Sequence, residues 1–201
     1  MTSLPKPLAK PRKSTGARRN PEAEAAVLAA ARDVISEKGY TGFSVEEVAR
    51  RAGSGKTTIY RWYPTKADLF IAIYTAERHV SVPVPDTGDL LDDLEQYTIS
   101  LWRFWAQHPA GAALKSLIAE AQGASEALEA LRERFLPART ADVRQMLKRG
   151  AERGQVRAED VDDKVTLWVG LSWFKLLVNE LDQVSSVRRL MGHIAGTGLS
   201  R

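Results

Sequence analysis

Apolar residues in this chain recur with the spacing of an α-helix along most of its length. Leu28, Ala31, Val34 and Ile35 form a first stripe, and Gly39 follows it as a C-terminal stop. Ser44-Val45-Glu46-Glu47 has the form of a capping box, in which the serine oxygen accepts an orphan N–H and Glu47 reaches back. Val45, Val48, Ala49 and Ala52 carry a second helix at i, i+3, i+4 and i+7, and Gly53 ends it. A third short helix is expected over Lys56 to Trp62. Pro64 closes it, and Thr65-Lys66-Ala67-Asp68 starts a fourth in the same capping style.

Val82-Pro83-Val84-Pro85 must be extended, because proline disfavours helix at its own position and at the one before. Beyond it Leu90, Leu94, Tyr97, Leu101, Phe104 and Trp105 keep one stripe as far as His108-Pro109. Leu114, Leu117, Ile118 and Ala121 make the next, stopped by Gly123. Leu128, Leu131 and Phe135 belong to a third, which Pro137 is expected to kink or end, and Val143, Met146 and Leu147 resume the pattern up to Gly154. From Val165 to Leu181 two opposite faces are apolar: Val165, Val169, Trp173 and Leu176 on one, Leu167, Leu171, Phe174, Val178 and Leu181 on the other. A helix apolar on both sides must be covered on both, so a second copy of the chain is expected against one of them. Val187, Leu190, Met191 and Ile194 give a last amphipathic helix. No segment reads as a strand. The expected architecture is all-α, with residues 1–20 an arm, 21–79 one helical domain with a connecting helix, and 86–201 a second.

Composition narrows the function. Of 29 Lys and Arg residues, six (Lys6, Lys10, Arg12, Lys13, Arg18 and Arg19) fall in the first 20 positions with no acid, leaving 23 bases against 25 acids elsewhere. A flexible arm of that kind suits phosphate contact through counterion release, or is a solvated tail. Cysteine is absent, which excludes disulfides, thiolate metal sites and cysteine nucleophiles. His79, His108 and His193 lie far apart, so no histidine metal or catalytic cluster is expected, and no cofactor. No apolar run nears the roughly 20 residues of a membrane helix, nor is there a signal-peptide stretch, and a cytoplasmic protein is expected.

Residues 44–63 have the layout of a helix-turn-helix: a capped helix, a tight turn at Ala52-Gly53, and a short second helix. In that motif the second helix enters the DNA major groove with its N-terminal residues at base edges. Here those residues are Lys56, Thr57 and Thr58. Lysine can address guanine O6 and N7, and threonine can hydrogen-bond or touch a thymine methyl. Ile59 and Tyr63, four apart, are expected to anchor the helix, while Tyr60 and Trp62 present O–H and N–H groups suited to phosphate oxygens.

Gly39-Tyr40, Phe43-Ser44-Val45, Ile59-Tyr60 and Tyr63-Pro64-Thr65-Lys66 with Leu69-Phe70 resemble the N-terminal domain of TetR-type transcriptional repressors over residues 22 to about 74. The resemblance implies a homodimer that binds a palindromic double-stranded operator and releases it when a small molecule occupies the C-terminal domain. It further implies base reading by Lys56 and Thr57, and phosphate binding by Thr58, Tyr60, Trp62, Ser44 and Lys66. Apart from the resemblance, Arg18 and Arg19 are expected to add minor-groove or phosphate contacts from the arm, as basic arms of other helix-turn-helix proteins do. One departure stands out. Where the family usually has an apolar residue and then a serine, this chain has Ser54 and Gly55, so the recognition helix starts on a glycine cap or on Ser54 one residue early. A glycine cap costs only a few tenths of a kcal/mol.

The C-terminal half supplies Trp102, Trp105, Phe135, Met146 and Trp168 as candidates to line an apolar pocket, the alternative being that each is core. Trp168 shares a narrow face with Ser172, Lys175 and Asn179, a polar neighbourhood that suits either a ligand or solvent. The association face is expected from Leu167, Leu171, Phe174, Val178, Leu190 and Ile194. Two rival functions remain. Gly55-Lys56-Thr57 suggests a phosphate loop and a nucleotide hydrolase, but Arg50 stands where that motif needs glycine and a helix where it needs a strand. An architectural DNA-binding protein would leave more than a hundred C-terminal residues without a task.

Overall fold

The chain enters its first helix through Asn20, whose side chain accepts from the Glu22 N–H at 3.0 Å, with Pro21 where no N–H is needed. The computed structural model describes residues 20–196, which leaves Arg18, Arg19 and nearly all of the basic arm outside the described residues. Helix α1 (Pro21–Lys38) packs across α2 (Val45–Ala52), and α3 (Lys56–Trp62) closes the unit. Val27, Ala31, Val34 and Ile35 meet Tyr40, Phe43, Val48 and Ile59 in its core. Gly53 makes the α2–α3 turn in the left-handed region (φ 60°, ψ 26°), where a side chain would be strained.

Helix α4 (Lys66–Ser81) opens on a full capping box: Thr65 Oγ1 accepts from the Asp68 N–H, and Asp68 accepts from the Thr65 N–H. Its buried face, Ala67, Leu69, Phe70, Ile73, Tyr74 and Arg78, packs first against α1 and then against the C-terminal helices, so one rigid rod belongs to both halves. The non-helical stretch at residues 82–85 follows, with Val82 buried.

Helix α5 (Leu90–Gln107) turns at His108 into α6 (Pro109–Ala121). His108 ends one helix and caps the other, its Nδ1 accepting from the Ala110 N–H at 3.2 Å, which makes it the helix terminus that its place before Pro109 suggests. Gly111 permits this corner, since a Cβ there would collide with the Trp105 carbonyl. The next helix differs from expectation. It does not break at Pro137: α7 (Ser125–Glu129) runs through a π-helical segment, Ala130–Phe135, into α8 (Leu136–Glu152). The Leu136 N–H reaches the Leu131 carbonyl five residues back, so the N–H that Pro137 lacks falls where the bonding pattern changes over. Together α7 and this segment bury Ala127, Ala130, Leu131 and Phe135, while Leu128 on α7 is exposed.

Helix α9 (Val161–Leu177) corrects the sequence reading of its faces. Val161, Val165, Trp168, Ser172 and Leu176 point inward, so Trp168 and Ser172 occupy the core face and not a polar flank. The reason is a partner distant in sequence: the Trp168 indole N–H donates to Thr98 Oγ1 at 2.9 Å on α5, which also removes the cost of burying it. The opposite face keeps Leu167 60% exposed and Phe174 57% exposed, with Leu177 and Val178 beside them, while Leu171 is half-buried. Leu181, expected on that face, is buried. Helix α10 (Val187–Ala195) lies along α5. Ile194, expected at the association face, is enclosed within the protomer at 5% exposure, and Leu190 is half-buried. Among the described residues there is no strand, and no helix is long and apolar enough to cross a membrane.

Candidate nucleic-acid interface

Three local features aim α3. Ser44 Oγ accepts from the Glu47 N–H at 3.2 Å and starts α2. The Glu47 carboxylate does not reach back as a capping box requires; it takes Arg50 (3.0 and 2.9 Å), Arg51 (2.9 Å) and Lys38 (3.3 Å) instead. Those partners, Arg50 before Arg51, hold its carboxyl well below the usual range. Arg51 in turn grips Glu37 through two hydrogen bonds of 2.8 and 2.7 Å, fastening α2 to the end of α1. Gly55 caps α3 without any side-chain bond, so Ser54 does not take over the missing serine's task and the helix begins at Lys56. At its far end the Tyr63 hydroxyl donates to Glu24 at 2.8 Å, and Ile59 is fully buried.

What α3 then presents outward is Lys56, Thr57, Tyr60 and Arg61, with Thr58 and Trp62 half-buried. Lys56 leans over the Tyr60 ring, 5.6 Å from its centroid, and is ion-paired with Glu46 on α2. The pairing pulls the Glu46 carboxyl below its ordinary range and pushes the Lys56 ammonium up. Arg61 is a residue that the sequence reading passed over; lying four after Thr57, it shares that outward face, and helical spacing alone would have included it. Lys66 lies where the two halves meet: its ammonium sits 4.1 Å from the centre of the Tyr40 ring and 3.6 Å from Glu120 on α6. Asp68 adds to that junction through Arg134 on the π-helical segment, at 2.5 Å.

From the junction a run of edge-on rings follows α4 inward: Tyr40 to Phe70 (5.4 Å between centroids), Phe70 to Tyr74 (5.9 Å) and Tyr74 to Phe135 (5.0 Å). It ends at a cavity of about 20 Å³ between α4, α5, α8 and α9. Three of the expected pocket residues, Trp105, Phe135 and Trp168, line it; Trp102 and Met146 do not, and are fully buried core. Burial lifts the Tyr74 hydroxyl to about 12, a shift partly opposed by the bond it accepts from Trp105 Nε1 at 2.6 Å.

Residues 27–73 match the family described as bacterial regulatory proteins, tetR family, and residues 84–190 match the tetracyclin repressor-like C-terminal domain. The HTH-type transcriptional regulator YdeS of Bacillus subtilis is 31% identical over 154 residues, which is 76% of this chain and 77% of that one. The chain belongs to the TetR family. The HTH-type transcriptional regulator AqdR of Rhodococcus erythropolis is 31% identical over 144 residues, 72% of this chain and 69% of its own. The crystal structure of the TetR family regulator SCO0332 superposes with a TM-score of 0.76 at 29% identity, over 90% of this chain and all of that one. FadR of Bacillus subtilis, solved in complex with stearoyl-CoA, shares the fold at a TM-score of 0.63 and 17% identity, over 88% of this chain and 99% of its own. As a TetR protein this chain is a DNA-binding transcriptional regulator and not an enzyme. Gly55-Lys56-Thr57 accordingly opens a recognition helix behind α2, where a phosphate loop would need a strand.

Proposed function

We propose that this regulator is a homodimeric repressor that reads a palindromic operator through α3 and releases it when a small molecule enters the cavity against α4. The observation that carries this reading is α4 itself: its first turn braces the helix-turn-helix, and Tyr74 and Arg78 near its other end line the cavity. A ligand that prefers one setting of α4 shifts the spacing of the two reading heads, and a coupling of about 1–3 kcal/mol suffices for a useful response. FadR of Bacillus subtilis lends support, as a protein of this fold solved with a small molecule bound.

In this reading Lys56 and Thr57 address base edges, and Lys56 exchanges Glu46 for a base acceptor on docking. Thr58, Tyr60, Trp62, Lys66 and the Ser44 hydroxyl contact phosphates, joined by Arg61, and Arg18 and Arg19 add contacts from the arm. The exposed stripe of Leu167, Phe174, Leu177 and Val178 is where the second copy packs. Gel shifts with a duplex that the protein retains test the reading. Lys56→Ala should weaken binding by about 1–3 kcal/mol and relax base preference at one position. Equal affinity of both proteins for the retained duplex and for a scrambled one would contradict it.

A further inference from the structure

The cavity against α4 is lined by six aromatic side chains, yet its charged lining groups are two arginines, Arg78 and Arg139. Arg78 is buried and donates to the Tyr97 hydroxyl and to Asp142, and Tyr97 also donates to Asp142 at 3.1 Å. Arg139 is half-buried, and among the described residues its buried Nε and Nη1 make no hydrogen bond; its guanidinium lies 5.8 Å from the centre of the Tyr74 ring. Burial, and then repulsion from Arg78, lower its hold on the proton. Asp142 is hydrogen-bonded to Arg78 and acts on Arg139 only through its charge, which leaves two buried Arg139 donors unpaired beside an aromatic enclosure. A buried donor without an acceptor is costly, so the site is complementary to one further anion. A planar carboxylate matches a guanidinium fork through two parallel hydrogen bonds.

We propose that the effector of this regulator is an aromatic carboxylate, with its carboxylate on Arg139 and its ring among Tyr74, Trp105 and Phe135. This deepens the effector reading given above and rests on it. At about 20 Å³ the cavity has room for about one water. An aromatic acid must part its walls, and those walls include α4. The incoming carboxylate also competes with Asp142 for Arg78, so the ion pair that ties α4 to α8 is exchanged in the same event.

The test uses the full-length chain without DNA and reads tryptophan fluorescence during titration with benzoate, 2-naphthoate and their carboxamides. At least one acid is expected to bind saturably, and on the order of tenfold or more tighter than its amide. Arg139→Gln is expected to lower that acid's affinity to the amide's level with the far-ultraviolet dichroism unchanged, and Arg139→Lys to keep part of the preference. Equal affinity of acid and amide, no saturable binding of either, or a preference that survives Arg139→Gln would overturn the proposal. The acid–amide comparison on the unaltered protein needs no variant to fold. A second arm adds the operator duplex: an acid that binds but does not release DNA overturns the effector reading and leaves the anion site standing, whereas release of DNA without acid preference does the reverse.

Discussion

Glu47 shows how much of the reading head hangs on one side chain. It has three basic partners, one on α1 and two on α2, and through Arg51 it shares in the clasp on Glu37. Its carboxyl titrates lower in the folded chain than in the unfolded one. The resulting stabilisation is therefore complete above the unfolded carboxylate pKa, about 4.3, and is lost as pH falls through the folded value. Glu47→Gln should lower the melting temperature at pH 7, and the gap from the parent should close on acidification below about pH 4; a gap independent of pH would show that the carboxylate's charge is not what stabilises. Glu47 also marks a limit of sequence reading. Its place in Ser44-Val45-Glu46-Glu47 predicts a local cap, while basic groups at residues 38, 50 and 51 outcompete the backbone for it. Lys66 likewise has partners, Tyr40 and Glu120, that no local pattern reveals.

At the scale of elements, helix boundaries were legible wherever they are written in local chemistry. Ser44, Gly53 and Thr65 with Asp68 mark theirs directly, and the helix-turn-helix follows from them. Two elements were less legible. The π-helical segment before Pro137 depends on a change of backbone pairing that has no hydrophobic signature. The inner face of α9 depends on Thr98, 70 residues away, which makes a place for the Trp168 N–H, and on burial of Ser172, a residue that polarity alone would put outside. The α5–α6 corner is a close approach of another kind. Gly111→Ala should destabilise the fold by about 1–3 kcal/mol, because the added methyl must push against the Trp105 backbone in a packed interior. Chemical denaturation measures this, and an unchanged midpoint would mean that the corner has slack.

At the scale of the molecule, the proposed dimer links the exposed apolar stripe on α9 to α3 by symmetry: a pair formed across Leu167 and Phe174 would present α3 twice. The sequence showed that α9 is apolar on two faces and placed Leu167, Phe174 and Val178 together, but it could not tell which side the protomer itself covers. Leu167→Glu with Phe174→Glu should give monomers in light scattering and lose operator affinity together; a dimer that persists would place the contact elsewhere. The most direct test of the whole account is selection of binding sites from random duplex DNA by the intact chain. An inverted repeat should emerge, its half-site centres one helical turn apart (about 34–36 Å) or a multiple of that. Recovery of no enriched sequence, or of a lone asymmetric site, would contradict it.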